Sequence, residues 1–96
     1  MSGTKISSAS IDDPRRKKLL FRAWHRGMRE MDLILGPFAD ERIADLDDET
    51  LDQFEALMSE NDQDLYRWVM GERAIPPQWD GPLLASIIAH RRQRIG

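Results

Sequence analysis

The sequence predicts an all-α fold, a small single-domain bundle of five short helices. Three observations carry that prediction. Apolar residues recur at three- and four-residue spacing in five separate stretches, and no stretch of useful length alternates with period two. Between the stretches stand helix start and stop residues: Asp12-Asp13-Pro14, Gly27, Asp47, Asn61-Asp62, Gly71 and Gly81-Pro82. A chain of 96 residues with an apolar share of 41% also has enough material for one modest core and no more.

In order along the chain, residues 1–11 are rich in Ser, Gly and Thr and read as a flexible tail, leaving 12–96 as the single helical domain. Asp12 or Asp13 can cap the first helix, with Pro14 in its first turn, where a missing N–H costs little. This helix is predicted to run to about Arg26, with Leu19, Leu20, Ala23 and Trp24 along it. Gly27 reads as the residue past its end. A second helix is predicted from about Arg29 towards Ile43, carrying Met31, Leu35 and Phe38. Gly36-Pro37 predicts a kink or break in it, because Pro37 has no amide for the ladder.

Asp47 reads as the cap of the third helix, whose buried stripe is Leu51, Phe54, Leu57 and Met58. Asp48 and Glu49 complement its positive end. Asn61 or Asp62 caps a short fourth helix with Leu65, Trp68 and Val69 inward, and Gly71 ends it. Ala74 to Trp79, with Pro76-Pro77, is predicted to be an extended connector. A fifth helix begins near Gly81-Pro82, with Leu83, Leu84, Ile87 and Ile88 ahead of a basic end. The largely buried set predicted from this spacing is Leu20, Trp24, Met31, Leu35, Phe54, Leu57, Leu65, Trp68, Val69, Leu84 and Ile88.

Composition narrows the function. The chain has no cysteine, which excludes disulfides, thiolate metal sites and cysteine nucleophiles. Its two histidines, His25 and His90, lie far apart and in no ligand spacing, so no metal and no catalytic activity of its own are expected. The acidic run Asp45-Leu46-Asp47-Asp48-Glu49 resembles a calcium-binding loop but has Thr50 at the glycine position and Ala56 at the glutamate position. Caps and a solvated face explain it better. No apolar run approaches the roughly 18 residues of a membrane span, and residues 1–13 lack a signal-peptide core, so the expectation is a soluble cytoplasmic protein.

The net charge of −3 hides a segregation. Residues 14–30 hold Arg15, Arg16, Lys17, Lys18, Arg22, Arg26 and Arg29 against Glu30 alone, whereas residues 32–64 hold twelve acids against Arg42. Arg91, Arg92 and Arg94 make the C-terminus basic again. This bipolarity suits a protein partner better than nucleic acid, and the apolar residues of the basic last helix are better spent on the core than on a membrane surface.

The stretch 20–40 joins two helices through the corner Arg26-Gly27-Met28-Arg29-Glu30. Helix chemistry alone accounts for it: Gly27 past an end, Arg26 at a negative end, Glu30 in a first turn. The corner also projects from a bundle, Gly27 admits a close backbone approach, and Arg26 offers a fork of donors. On that ground it is the candidate binding surface.

These residues are similar to the small bacterial and mitochondrial FAD assembly factors of succinate dehydrogenase, the flavinators, whose hallmark is Arg-Gly-x-x-Glu. The likeness includes Leu20 to Trp24, Met31-Asp32, Pro37-Phe38 and the segment Asp62 to Trp68, and covers about residues 14–90. It implies a non-enzymatic assembly factor, a monomer, that binds the flavoprotein subunit of succinate dehydrogenase, or of fumarate reductase, and promotes covalent attachment of FAD to a client histidine. By the same resemblance Arg26, Gly27, Met28, Arg29 and Glu30 contact the client, and FAD belongs to the client, with none bound stably here. No glycine-rich dinucleotide fingerprint is present. An alternative from the same resemblance is an antitoxin-like interaction module without a flavin role.

Overall fold

Asp13 opens the first helix: its carboxylate accepts from the Arg15 amide at 2.9 Å, and Pro14 fills the first turn. The structure is a computed structural model that describes residues 13–95; the tail predicted over 1–11 lies outside them. The helices are α1 (Pro14–Trp24), α2 (Arg29–Arg42), α3 (Asp48–Leu57), α4 (Asp62–Met70) and α5 (Pro82–Ile95), with a single 3₁₀ turn at Ile43–Asp45. The five-helix all-α bundle is therefore present, with no strand among the described residues.

α2 is the central helix, packed against α1, α4 and α5. It sends Met31, Ile34, Leu35, Phe38 and Ala39 into the core, where they meet Leu19, Leu20 and Ala23 of α1. Phe54 of α3 packs against Phe38 with ring centroids 5.9 Å apart. Leu65, Trp68 and Val69 of α4 and Leu83, Leu84 and Ile87 of α5 complete the cluster. Outside it, Arg15 ties α1 to α3, reaching Asp52 at 2.7 Å and Glu55 at 2.6 Å. Two members of the predicted buried set are half-buried instead, Trp24 and Ile88, each packed against the core from its edge.

α1 stops at Trp24, two residues before its predicted end. His25 leaves helical geometry at φ −130° and ψ 54°. The Arg26 amide then turns to the Asp32 side chain at 2.6 Å instead of continuing the ladder.

Of the kink or break predicted at Gly36-Pro37, a break does not occur: α2 runs unbroken from Arg29 to Arg42 with Pro37 inside. Two contacts make that sequence fit a helix. Without an amide, Pro37 leaves the Leu33 carbonyl, four residues back, with no ladder partner. Arg94 of α5 donates to that oxygen from Nη1 at 3.2 Å. Gly36 is the seat of the Trp24 ring, and the indole Nε1 donates to Asp40 at 3.0 Å one turn further along.

Capping sets the remaining boundaries. Asp47 accepts from the Thr50 amide at 2.8 Å, and Asn61 accepts from the amides of Gln63 and Asp64. Gly71 ends α4 in the left-handed region at φ 76°. The connector predicted to be extended over Ala74–Trp79 has no regular structure over 74–76. It then turns, the Trp79 amide bonding to the Pro76 carbonyl at 2.9 Å and that of Asp80 to Pro77 at 3.3 Å. Prolines set this up, since their fixed φ favours the first corner of a turn.

Candidate functional site

The corner between α1 and α2 is built from inside outward. Arg26 was expected to stand on an exposed helix end with a free fork. Instead its side chain is only 10% exposed and turns in beneath the corner. Nε donates to Asp62 Oδ1 at 2.7 Å, Nη2 donates to the Glu60 carbonyl at 2.9 Å, and Nη1 donates to the Met58 carbonyl. The two carbonyls lie at the turn that follows α3, and Asp62 is the first residue of α4. A guanidinium suits the position because its donors diverge in one plane and stay charged. The last carbonyls of α3 carry partial negative charge, and Asp62 stands at the start of α4, so the cation between them is electrostatically favoured.

Above this brace the backbone of Gly27 takes φ 98°, a region in which a side chain is strained. A Cβ built there meets nothing within 4 Å, so the glycine is required by its torsions and not by crowding within the chain. Met28 is the N-cap residue of α2 but supplies no side-chain cap; its half-buried side chain packs against the core, and its carbonyl accepts from the Asp32 amide at 3.0 Å. Gly27, Arg29 and Glu30 face solvent. Glu30 sits in the first turn of α2, where a carboxylate complements the positive helix end.

The fold brings a second element to this corner that the spacing along the chain does not show. An open groove is lined by Gly27, Met28, Arg29 and Glu30 on one side and by Asn61, Asp62 and Gln63 on the other. The Asp62 to Trp68 segment carries its own signal, a cap followed by an aromatic helix, but only the ion pair with Arg26 shows that its first turn forms the other wall. The same α3–α4 turn is held from its far side by Trp79, whose Nε1 donates to Glu60 Oε2 at 3.1 Å.

The two histidines occupy different settings. His25 is exposed, stacked on Phe21 at 4.0 Å, with Nδ1 2.8 Å from the Phe21 carbonyl. His90 is buried in α5, edge-on to Phe38, and its Nε2 lies 3.3 Å from Glu41. Among the described residues no group of three His, Cys, Asp or Glu is arranged to hold a metal ion, and no helix is long and apolar enough to cross a membrane. The acidic run 45–49 has a capping role through Asp47, whose carboxyl is held below its usual range by hydrogen bonds from Thr50.

What the arrangement can do is present a fixed, mixed-charge edge to another protein. Arg29 and Glu30 offer a donor and an acceptor side by side, Gly27 leaves the backbone beside them uncovered, and the arginine beneath keeps the edge from collapsing.

Comparison with known proteins gives a consistent family. The family model described as flavinator of succinate dehydrogenase matches residues 17–91, from within α1 to within α5. Succinate dehydrogenase assembly factor 2, mitochondrial, of Cryptococcus neoformans is 36% identical over 78 residues, covering 80% of this chain and 45% of the relative. The protein of that name from Dictyostelium discoideum is 33% identical over 75 residues, covering 78% and 53%. The FAD assembly factor SdhE of Photobacterium profundum is 33% identical over 73 residues, covering 76% of this chain and 83% of the relative. The chain thus spans about half the length of the mitochondrial relatives and matches most of the bacterial one. No solved structure matches it. By the match over α1 to α5, the chain belongs to the family of flavinators of succinate dehydrogenase.

Proposed function

We propose that this chain is an assembly factor that docks on the flavoprotein subunit of succinate dehydrogenase, or of fumarate reductase, and promotes covalent attachment of FAD to a histidine of that client. Membership of the flavinator family supports the process. The observation that carries the site is the exposed edge Gly27, Arg29 and Glu30, fixed over the half-buried Arg26 fork. On this reading the factor performs no bond formation. The client's histidine and its flavin react with each other, and the factor holds the client where the two are aligned. Placement of that kind lowers a barrier by several kcal/mol, on the order of 7 or more in the best intramolecular cases.

Roles within the corner then divide. Arg29 and Glu30 touch the client, Gly27 lets the client's backbone come close, and Arg26 and Met28 act from beneath. FAD stays with the client. The bacterial cytoplasm is the proposed compartment, in line with the extent of the match to the bacterial relative.

The test is complementation of cells lacking their own factor with Glu30→Ala and Arg29→Ala. Both variants are expected to fold normally by circular dichroism and to leave the client's flavin largely non-covalent, read as flavin fluorescence of the client subunit in a denaturing gel. Folded variants that restore full covalent flavin would remove the corner from the working surface.

A further inference from the structure

The outer face of α1 is left uncovered by the fold, and it is basic. Leu19, Leu20 and Ala23 point to the core. Lys17, Lys18 and Phe21 lie on the opposite side with Arg22 beside them, and His25 continues that side just past the last turn. Phe21 is 62% exposed, more than Leu33, the other large apolar residue that is exposed among the described residues. Single exposed apolar residues are ordinary. This one is not a loose side chain, however, because its ring stacks on His25 with centroids 4.0 Å apart and planes inclined by 19°. The imidazole is itself held by the contact of Nδ1 with the Phe21 carbonyl at 2.8 Å. The two rings form one ordered plate at the centre of the face.

Charge around the plate is unneutralised. Arg15, Arg16 and Arg26 each meet a carboxylate. Among the described residues Lys17, Lys18, Arg22 and Arg29 form no ion pair, although the chain carries a net charge of −3. The face is also continuous with the corner, since His25 leads directly into Arg26 and Gly27.

We propose that this face extends the docking surface of the corner and takes an acidic segment of the flavoprotein client, one of whose apolar or aromatic side chains lies on the Phe21–His25 plate. The proposal rests on the reading of the corner as the docking edge and names the chemistry of the partner that meets it. Cations without partners attract carboxylates and steer their approach, and a fixed aromatic plate supplies apolar contact at small entropic cost. An anionic membrane would meet the same cations, but the molecule as a whole is net negative at −3, which opposes its long-range attraction to an anionic surface. A protein segment can follow the basic face alone.

The experiment measures the affinity of the purified flavoprotein subunit, as a function of salt, for the parent and for Lys17→Glu/Lys18→Glu, Phe21→Ala and Glu30→Lys. All four substituted positions are surface-exposed, so folding is expected to persist and is checked by thermal unfolding. The α1 variants are expected to bind roughly tenfold more weakly, the charge-reversed one with a flattened salt dependence. If both α1 variants bind within about twofold of the parent while Glu30→Lys is impaired, the extension along α1 is wrong and the corner stands. If the α1 variants are impaired and Glu30→Lys is not, the α1 face stands and the corner reading falls. If none is impaired, both fall. Vesicles of phosphatidylglycerol and phosphatidylcholine provide a further arm. Binding to them that the α1 variants lose, with flavoprotein affinity intact, would overturn the proposal in favour of a lipid surface.

Discussion

Arg26 Nε lies 2.7 Å from Asp62 Oδ1, joining the α1–α2 corner to the first turn of α4 across 36 positions of sequence. The pair is little exposed, 10% for the arginine and 21% for the aspartate, and the same guanidinium holds the carbonyls of Met58 and Glu60. The motif arginine is therefore a strut. It supports the edge formed by Gly27, Arg29 and Glu30.

Removing that strut is expected to be costly. Arg26→Ala leaves Asp62 and two carbonyls without their donor, and is expected to lose roughly 2 to 4 kcal/mol in a urea titration. Arg26→Lys should recover less than half of that, because one ammonium cannot reach three diverging acceptors. A loss below about 1 kcal/mol for the alanine variant would mean that the fork is not engaged in solution.

Gly36→Ala is expected to destabilise although alanine is the better helix former. A Cβ at Gly36 would stand 2.4 to 2.6 Å from three ring atoms of Trp24, so the indole must move. Overpacking of this kind costs about 1 to 3 kcal/mol against a propensity gain of about 1. Replacing Trp24 by Leu in the same chain should abolish the penalty of the Gly36 substitution. An equal penalty in both backgrounds would place the strain elsewhere.

How much of this could be read from the sequence depended on how local each cause is. Asp13, Asp47, Asn61 and Gly71 act within one turn of themselves, and the helix boundaries they set are where their types put them. Gly27 was legible for the same reason, as a torsion only glycine adopts at ease. The direction of Arg26 was not, because it is decided by carbonyls at Met58 and Glu60 that no spacing rule connects to it. Nor was the continuity of α2, since the donor that satisfies the Leu33 carbonyl comes from Arg94 near the other end of the chain. The other wall of the groove, Asn61 to Gln63, was hidden by the same non-local packing.

A double-mutant cycle tests the Pro37 repair. Pro37→Ala restores an amide that can reach the Leu33 carbonyl, so Arg94→Ala should then lose little. With Pro37 present, Arg94→Ala is expected to cost about 0.5 to 1.5 kcal/mol, the scale of one hydrogen bond. Equal effects in the two backgrounds would show that Arg94 does not serve that oxygen.

The Asp47 cap gives a pH dependence of known sign. Hydrogen bonds from the Thr50 side chain and amide hold the folded-state pKa below the ordinary 3.8. A depressed carboxyl stabilises the fold above its unfolded pKa, and that contribution is lost as pH falls through the folded value. Asp47→Asn keeps a capping oxygen but no titrating group. Its stability relative to the parent should therefore rise as pH drops below 3.8. A constant difference across that range would show that Asp47 titrates as it does in the unfolded chain.

The last expectation separates the fold of the corner from its use. At φ 98° any L-side chain at Gly27 is strained, and nothing stands within 4 Å of a Cβ there, so Gly27→Ala and Gly27→Val meet the same backbone penalty with no internal clash. Each should lose roughly 1 to 2 kcal/mol, valine somewhat more for its branched Cβ. If the residue matters only through its torsions, both variants will support covalent flavin in the client in proportion to the fraction folded. If the client's backbone also passes over Gly27, flavin attachment will fall further than folding does, and further for valine than for alanine, at a temperature where both remain native. The second pattern is the one expected. Measuring the fraction folded by circular dichroism and the covalent flavin by in-gel fluorescence on the same two variants decides it, and parallel losses would return Gly27 to a purely structural role.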